Sequence, residues 1–439
     1  MIDKILITTQ KILLYLIPIG LITGPFIPDL SISLMALIFI FLSIKNNLWN
    51  YYYNNKFVKF FLLFNLFLII SSLTSDDILF SLKSSFTYFR FLIFSLSLWY
   101  LLENTKDLFM KNYSTYLFIL FLVLSLDAIY QFIFVHNILG FELVQSDRIS
   151  GFFNDRMVLG SFFIRMCPLV IVLFFIFSEL KNKILLSIIL YTVGITTIIL
   201  SGERTSLGLF FIFLFLILIL NRNKSFFLTF LVLPLFIIIS FSAFNKKIQY
   251  RLFIEPLQQS NLISNLFVEK YFPDNKKNYV HEGKSLVIFS REHTSHYKTA
   301  FKIFLDNPFL GIGPKMFRKK CGDEKYNSGD ESCSTHPHNF LLQILSETGI
   351  IGFIFYLILL YFIISKLIFY FNNNKNNQKD NYIEIICLIT FFINVFPFVP
   401  TGNIFNNWLA IIFYFPCGFY LHQTRLKNRD EYVTSNNNI

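Results

Sequence analysis

The chain is built from long apolar blocks of about 17–25 residues, broken by short polar stretches. That is the length an α-helix needs to cross the hydrocarbon core of a bilayer. The pattern predicts about twelve spans, near residues 11–27, 29–44, 57–73, 82–102, 114–136, 157–179, 184–200, 206–220, 226–244, 346–370, 381–397 and 404–421. Pro and Gly in "TGPFIPD" and "PFVPTGN" mark tight turns between spans. One break, residues 245–337, is far longer than the others. Within it, Glu292–Leu305 has the periodicity of a short amphipathic helix suited to a membrane surface. "DNPFLGIG" then reads as a turn and "KMFRKKCGDEKYNSGDESC" as a polar loop. A β-barrel is excluded, because its strands would alternate apolar and polar residues. The expected fold is an all-α integral membrane protein of about twelve transmembrane helices with one large outward-facing loop. It divides into N-terminal helices (1–136), a core (137–371) holding the loop 245–337, and C-terminal helices with a tail (372–439). No internal repeat is visible, and the Asn-rich "NNNKNNQKDNY" reads as a solvated loop.

Composition agrees with the pattern. Of 439 residues, 54% are hydrophobic and 15% charged, against about 25% charged in soluble domains. The net charge of +11 could suggest nucleic acid, but no soluble basic domain exists to carry it. The positive residues instead alternate along the short loops. "IKNNLWNYYYNNK", "ENTKDLFMKN", "LKNK", "NRNK", "NNNKNNQKDN" and "RLKNRDEY" carry Lys and Arg, whereas "TGPFIPD", "LTSDDILF" and "PFVPTGN" carry none. By the positive-inside rule both termini are expected to be cytoplasmic, in the inner or plasma membrane. Residues 245–337, "VQSDRISGFFNDR" and "SGERTS" then face outward, to the periplasm in a Gram-negative cell. Lys4 and Lys11 precede an apolar run with no small-residue cleavage site, so the first span is expected to remain as a signal anchor. Cys167, Cys387 and Cys417 fall in spans and read as packing residues. Cys321 and Cys333 share the outward loop, where a disulfide is expected; two Cys make a poor zinc site.

Against this apolar background a few outward polar residues stand out. Arg204 in "ILSGERTSLG" lies at the outer edge between two spans, where an unpaired charge is expensive and therefore a functional candidate. A local pair with Glu203, or snorkelling to the interface, would explain it equally well. Arg291 precedes the amphipathic helix and could simply be solvated. Arg148 also lies outward, beside a Gly-containing turn. In "THPHNFLLQILSETGIIG", His338 has the side chain best suited to proton transfer near neutral pH. Asn339 offers an amide for a substrate oxygen or for orienting the ring, and Pro337 fixes the turn before the helix. A helix cap is the plainer reading of His338. Gly349 and Gly352 would let another backbone come close. His336, two positions before His338, would point elsewhere and is expected to be secondary. Asp127 and Arg165 lie inside the fifth and sixth spans and are expected to pair with each other.

Arginine forks match phosphate oxygens and keep their charge at any relevant pH. A diphosphate needs about two or three such partners, and a neutral histidine could take the proton of an attacking hydroxyl. The trio therefore suits group transfer from a polyprenyl diphosphate to an alcohol on the outer face, and the sequence contains no Walker loop or acidic metal-binding cluster.

The sequence resembles the O-antigen ligase family of bacterial polysaccharide ligases and polymerases. The family pattern of His, an amide or hydroxyl residue, nine positions and Gly-x-x-Gly is met by His338–Asn339, Phe340–Thr348 and Gly349-Ile-Ile-Gly352. "DNPFLGIGPKMF" resembles its NPxxGxGxxxF turn through Asn307, Pro308, Gly311, Gly313 and Phe317. "SGERTSLG" resembles its SGSR segment, with Glu203 in place of a small residue, and "RISGFFNDRMVLGSF" an upstream element, with Asp155–Arg156 departing from it. The likeness covers roughly 145–355. It implies that Arg204 and Arg291 bind the donor diphosphate, with Arg251 also available, and that His338 activates the acceptor hydroxyl. Arg148, Asn339, Gly311 and Gly313 are expected to contact substrate. It further implies catalysis without a metal ion or other cofactor, inversion at the anomeric carbon, and a donor glycan on undecaprenyl diphosphate. The acceptor would be a lipid A-core sugar in a ligase or another lipid-linked repeat in a polymerase. The single large late loop favours the ligase. A transporter of lipid-linked sugars would instead show repeat symmetry and charges along its spans, which are not seen.

Overall fold

The computed structural model describes residues 2–143, 145, 148–220, 224–273, 290–329, 331–373 and 381–436, with side chains undescribed at 224–229, 373 and 427–436. Most of the Asn-rich loop and of "NRNK" lies outside the described residues. The long helices are α1 (Ile2–Thr23), α2 (Phe26–Lys45), α3 (Lys56–Leu73), α4 (Ile78–Glu103), α5 (Asp107–Phe134), α6 (Leu159–Phe177), α7 (Lys183–Leu200), α8 (Arg204–Leu220), α9 (Lys224–Phe244), α10 (Arg291–Asp306), α11 (Phe340–Asn373), α12 (Tyr382–Val395) and α13 (Asn407–Asn436). Among the described residues there are no strands, only three isolated bridges. The protein is an all-α membrane protein.

Each of the twelve predicted segments is largely helical, but not all qualify as spans by length and composition. Among the described residues eight helices are long and apolar enough to cross a membrane, nine if the pair Phe230–Phe244 and Lys246–Gln259, bent by 112°, is one span. The helices Arg204–Leu220 and Tyr382–Val395 are apolar but shorter. Hydropathy marks apolar blocks; it does not say how straight or long the helix will be.

The chain forms two compact units, Met1–Leu117 with Val172–Leu180 and His296–Ile439, and Phe118–Ile171 with Lys181–Ser295. Each is described on its own. In the first, residues 89–103 of α4 are almost wholly buried and α4 is the central element. Polar atoms join it to its neighbours: Gln10 Nε2 donates to Ser97 Oγ at 2.8 Å, Ser97 Oγ to the Met35 carbonyl at 3.1 Å, and Ser95 Oγ to the Tyr414 carbonyl at 2.9 Å. Between apolar helices such bonds supply direction that dispersion alone lacks. Helix starts are capped locally. Asn55 accepts from Val58 N, Asp77 from Phe80 N and Asn339 from Leu342 N, all near 3.0 Å.

In the second unit, Tyr191 of α7 donates to the Phe230 carbonyl of α9 at 3.1 Å. Beyond α9 the chain makes a π-helical turn, Tyr250–Ile254, and the short helices Glu255–Gln259 and Asn265–Tyr271, around Tyr250, Val268 and Phe272. The expected pairing of Asp127 with Arg165 is replaced by local bonds. Asp127 accepts from Ile138 N at 2.9 Å and Asn137 Nδ2 at 3.5 Å, while Arg165 donates to Ser161 Oγ at 2.5 Å and to its carbonyl at 3.2 Å.

Candidate functional site

The polar turn before α11 is held by contacts from a distant loop. His338 has φ +57°, a left-handed conformation that a residue with a Cβ adopts only when its surroundings hold it. The holding groups come from the loop before α13. Thr401 N donates to the His338 carbonyl at 2.9 Å, and Asn339 Nδ2 donates to the Pro397 carbonyl at 2.8 Å. Asn339 and Pro400 form a bridge. His338 is half-buried, and its Nε2 lies 3.1 Å from Ser334 Oγ. Its ring centroid is 4.0 Å from that of His336 and 5.3 Å from that of His296, both buried. His336 therefore does not point away from His338. The turn is not helical, so helical spacing does not apply. Among the described residues no His, Cys, Asp and Glu group is arranged to hold a metal ion, so the three rings are a packed cluster.

Tyr297 on α10 completes this wall. Burial pushes its phenol up to about 12, against a hydrogen bond with Asn339. Asn339 thus caps α11, ties down the 397–400 loop and meets Tyr297. Both atoms of its amide are thus engaged with the protein beside His338.

Gly311 and Gly313 are likewise committed. Gly311 N donates to the Asn307 carbonyl at 3.2 Å and Gly313 N to the Glu347 carbonyl at 2.9 Å. A Cβ at Gly311 would stand 2.3 Å from the Glu347 carbonyl carbon, and one at Gly313 would stand 2.7 Å from Ser75 and Ser81. The two glycines let the turn press on α3, α4 and the start of α11; they do not present free amides. Gly349 is the matching device on the other side, with φ +63° at a break in α11 and a notional Cβ 2.3 Å from the Phe309 carbonyl oxygen. Close approach of another backbone, expected from the small-residue pair, is realised at Gly349. Below the break, Gln343 and Glu347 are fully buried. Glu347 accepts from Phe317 N at 3.0 Å and Gln343 Nε2 at 2.9 Å; Gln343 also donates to Asn403 at 2.9 Å. Their buried, one-turn spacing in an apolar helix was the available signal for these missed residues.

The second unit holds the arginines. Arg204, half-buried at the start of α8, donates to Gln259 Oε1 at 2.8 Å. Its neighbour Glu203 turns instead to the start of α6, accepting from Gly160 N at 2.8 Å, Ser161 N at 3.1 Å and Ser206 Oγ at 2.9 Å. An acid at a helix N-terminus is favoured by the free amides there. Burial holds the Glu203 carboxyl above its usual range, opposed by the charge of Arg148 and these donors. Arg148 is half-buried and donates to the Met157 carbonyl at 3.2 Å, on a turn pinned where Gln131 Oε1 accepts from Ser150 N and Gly151 N. Arg148, Glu203 and Arg204 thus converge around the "SGER" turn. Arg251 of the π-turn joins them, with Nε 3.4 Å from the Gly202 carbonyl and NH1 2.8 Å from buried Glu255. Arg291 is exposed at the first position of α10.

Fold and site together define a multi-pass, all-α membrane protein with a framed histidine turn in one unit and an arginine cluster in the other. Residues 186–357 match the family model described as O-antigen ligase, and this match supports the resemblance to the O-antigen ligase family. The matched segment contains Arg204, Arg251, Arg291, both glycine turns and His338, while Arg148 lies before it. No curated protein matches the chain.

Proposed function

We propose that the protein transfers a glycan from undecaprenyl diphosphate to a hydroxyl of the lipid A-core on the periplasmic face of the inner membrane. The observation that carries this reading is His338, half-buried on a strained backbone that the 397–401 loop and Asn339 hold in place. Strain of this kind persists where a side chain must be aimed. The acceptor hydroxyl attacks the anomeric carbon as the bond from that carbon to the diphosphate oxygen breaks. His338 takes the hydroxyl proton, which later passes to solvent. The diphosphate leaves on its polyprenyl carrier, and Arg204 and Arg291 balance its growing charge with Arg148 nearby in support. A single displacement inverts the anomeric configuration.

The test is complementation of a strain deleted for this gene, read on a gel of surface lipopolysaccharide beside the lipid-linked intermediates. His338→Ala at normal protein level is expected to leave the core bare while long glycans accumulate on the carrier. A core with one repeat and no ladder in the deletion strain would identify a polymerase instead. Normal glycan attachment by His338→Ala would remove the mechanism, as a transporter reading would predict.

A further inference from the structure

We infer that His336 is a positioning residue for His338, acting with Thr401 to hold that side chain in its reactive orientation. The inference deepens the proposed function and rests on the reading of His338 as the proton acceptor.

The arrangement begins with hydrogen-bond roles. His336 Nε2 lies 3.1 Å from the Thr401 carbonyl. A carbonyl only accepts, so Nε2 carries the hydrogen. Nδ1 of the neutral ring then accepts from Thr335 Oγ1 at 2.9 Å. Both nitrogens of His336 are thus engaged with the protein, and its ring orientation is fixed. The same Thr401 donates its N–H to the His338 carbonyl at 2.9 Å. One residue of the 396–403 loop therefore grips the side chain of His336 and the main chain of His338 at once. Pro337 between them restricts the intervening backbone. The fixed His336 ring packs 4.0 Å from the His338 ring, which leaves that ring few orientations. Exposure separates their roles. His336 is buried at 8% exposure, while His338 is half-buried and reachable by an acceptor.

Two substitutions divide ring packing from hydrogen bonding. His336→Phe keeps an aromatic ring against His338 and removes both nitrogens. His336→Gln keeps an N–H donor with comparable reach. Both are made in the full-length protein and read in two ways. The first needs no substrate: the rate at which diethyl pyrocarbonate acylates His338 is followed by site-resolved peptide mass spectrometry. The second measures glycan transfer in liposomes containing lipid extract from the deletion strain, which supplies donor and acceptor. In His336→Phe the acylation rate of His338 is expected to change about threefold or more. Its kcat should fall about tenfold or more with donor KM little changed, as expected for lost orientation. His336→Gln should restore both readouts to near wild type. Unchanged acylation of His338 in His336→Phe overturns the inference whatever the transfer rate. Equal defects in both variants with a lowered melting temperature also overturn it, since they indicate packing alone. If the wild type transfers no glycan, the proposed function fails, while the acylation rates still decide the role of His336.

Discussion

At the residue scale, the chemistry separates the candidate reactive side chains from those that build the frame. Arg204 places a guanidinium at the start of α8, where its NH1 donates to Gln259 at 2.8 Å. Arg204→Lys keeps the charge but not the fork. Transfer is expected to fall roughly 10- to 100-fold, the loss of about one charge-assisted hydrogen bond, measured as product formed in the same liposomes. Gly349 shows the opposite kind of constraint. Gly349→Ala must place a Cβ against the Phe309 carbonyl on a left-handed backbone. It is expected to destabilise the protein by more than about 2 kcal/mol, seen as a lower melting temperature in detergent. The motif at 338–352 contains Gly349, but only the structure showed that this glycine serves close packing against Phe309. His336 shows why: spacing along a helix gave the wrong direction for a residue that sits in a turn.

At the element scale, the predicted amphipathic helix Glu292–Leu305 is present as α10, one residue longer at each end. Its buried face carries Ser295, His296, Thr299, Ala300 and Ile303, which follows from the 3.6-residue period that predicted it. After the glycine turn, Cys321 and Cys333 are disulfide-bonded with Cα atoms 4.8 Å apart. The bond closes a short loop just before Ser334, whose hydroxyl meets His338. Replacing both cysteines by serine is expected to lower stability by about 2–4 kcal/mol and to reduce transfer. Thermal melting and the gel profile check the two effects, and a mass shift on reduction confirms the bond in the isolated protein. The loop before α13 is the element that sequence reading undervalued. "PFVPTGN" reads as a tight turn, and nothing in its composition reveals that its carbonyls and amides grip residues some sixty positions earlier.

For the whole molecule, the alternation of loops that carry Lys and Arg with loops that lack them makes a topological prediction. A cysteine at Asn47 should react with a membrane-impermeant maleimide only after the cells are opened, and a cysteine at Thr74 should react in intact spheroplasts. The native free cysteines Cys167, Cys387 and Cys417 are buried, so background labelling should be low. Reversed labelling would put the histidine turn on the wrong side for a periplasmic reaction. The compact units also reorganise the linear picture, because the N-terminal helices and the His338 turn belong to one unit, and the Arg204 turn to the other.

The sequence alone determined the all-helical membrane class, the positions of the apolar segments and the short motifs around Arg204 and His338. Those properties depend on local composition and spacing, which can be read along the chain. The tertiary structure decided which helices are long enough to span, which polar groups frame His338, and that Glu203 caps α6 instead of pairing with Arg204. These depend on long-range hydrogen bonds and backbone approach. A hydrogen bond such as that from His336 to Thr401 joins residues whose proximity no local pattern records.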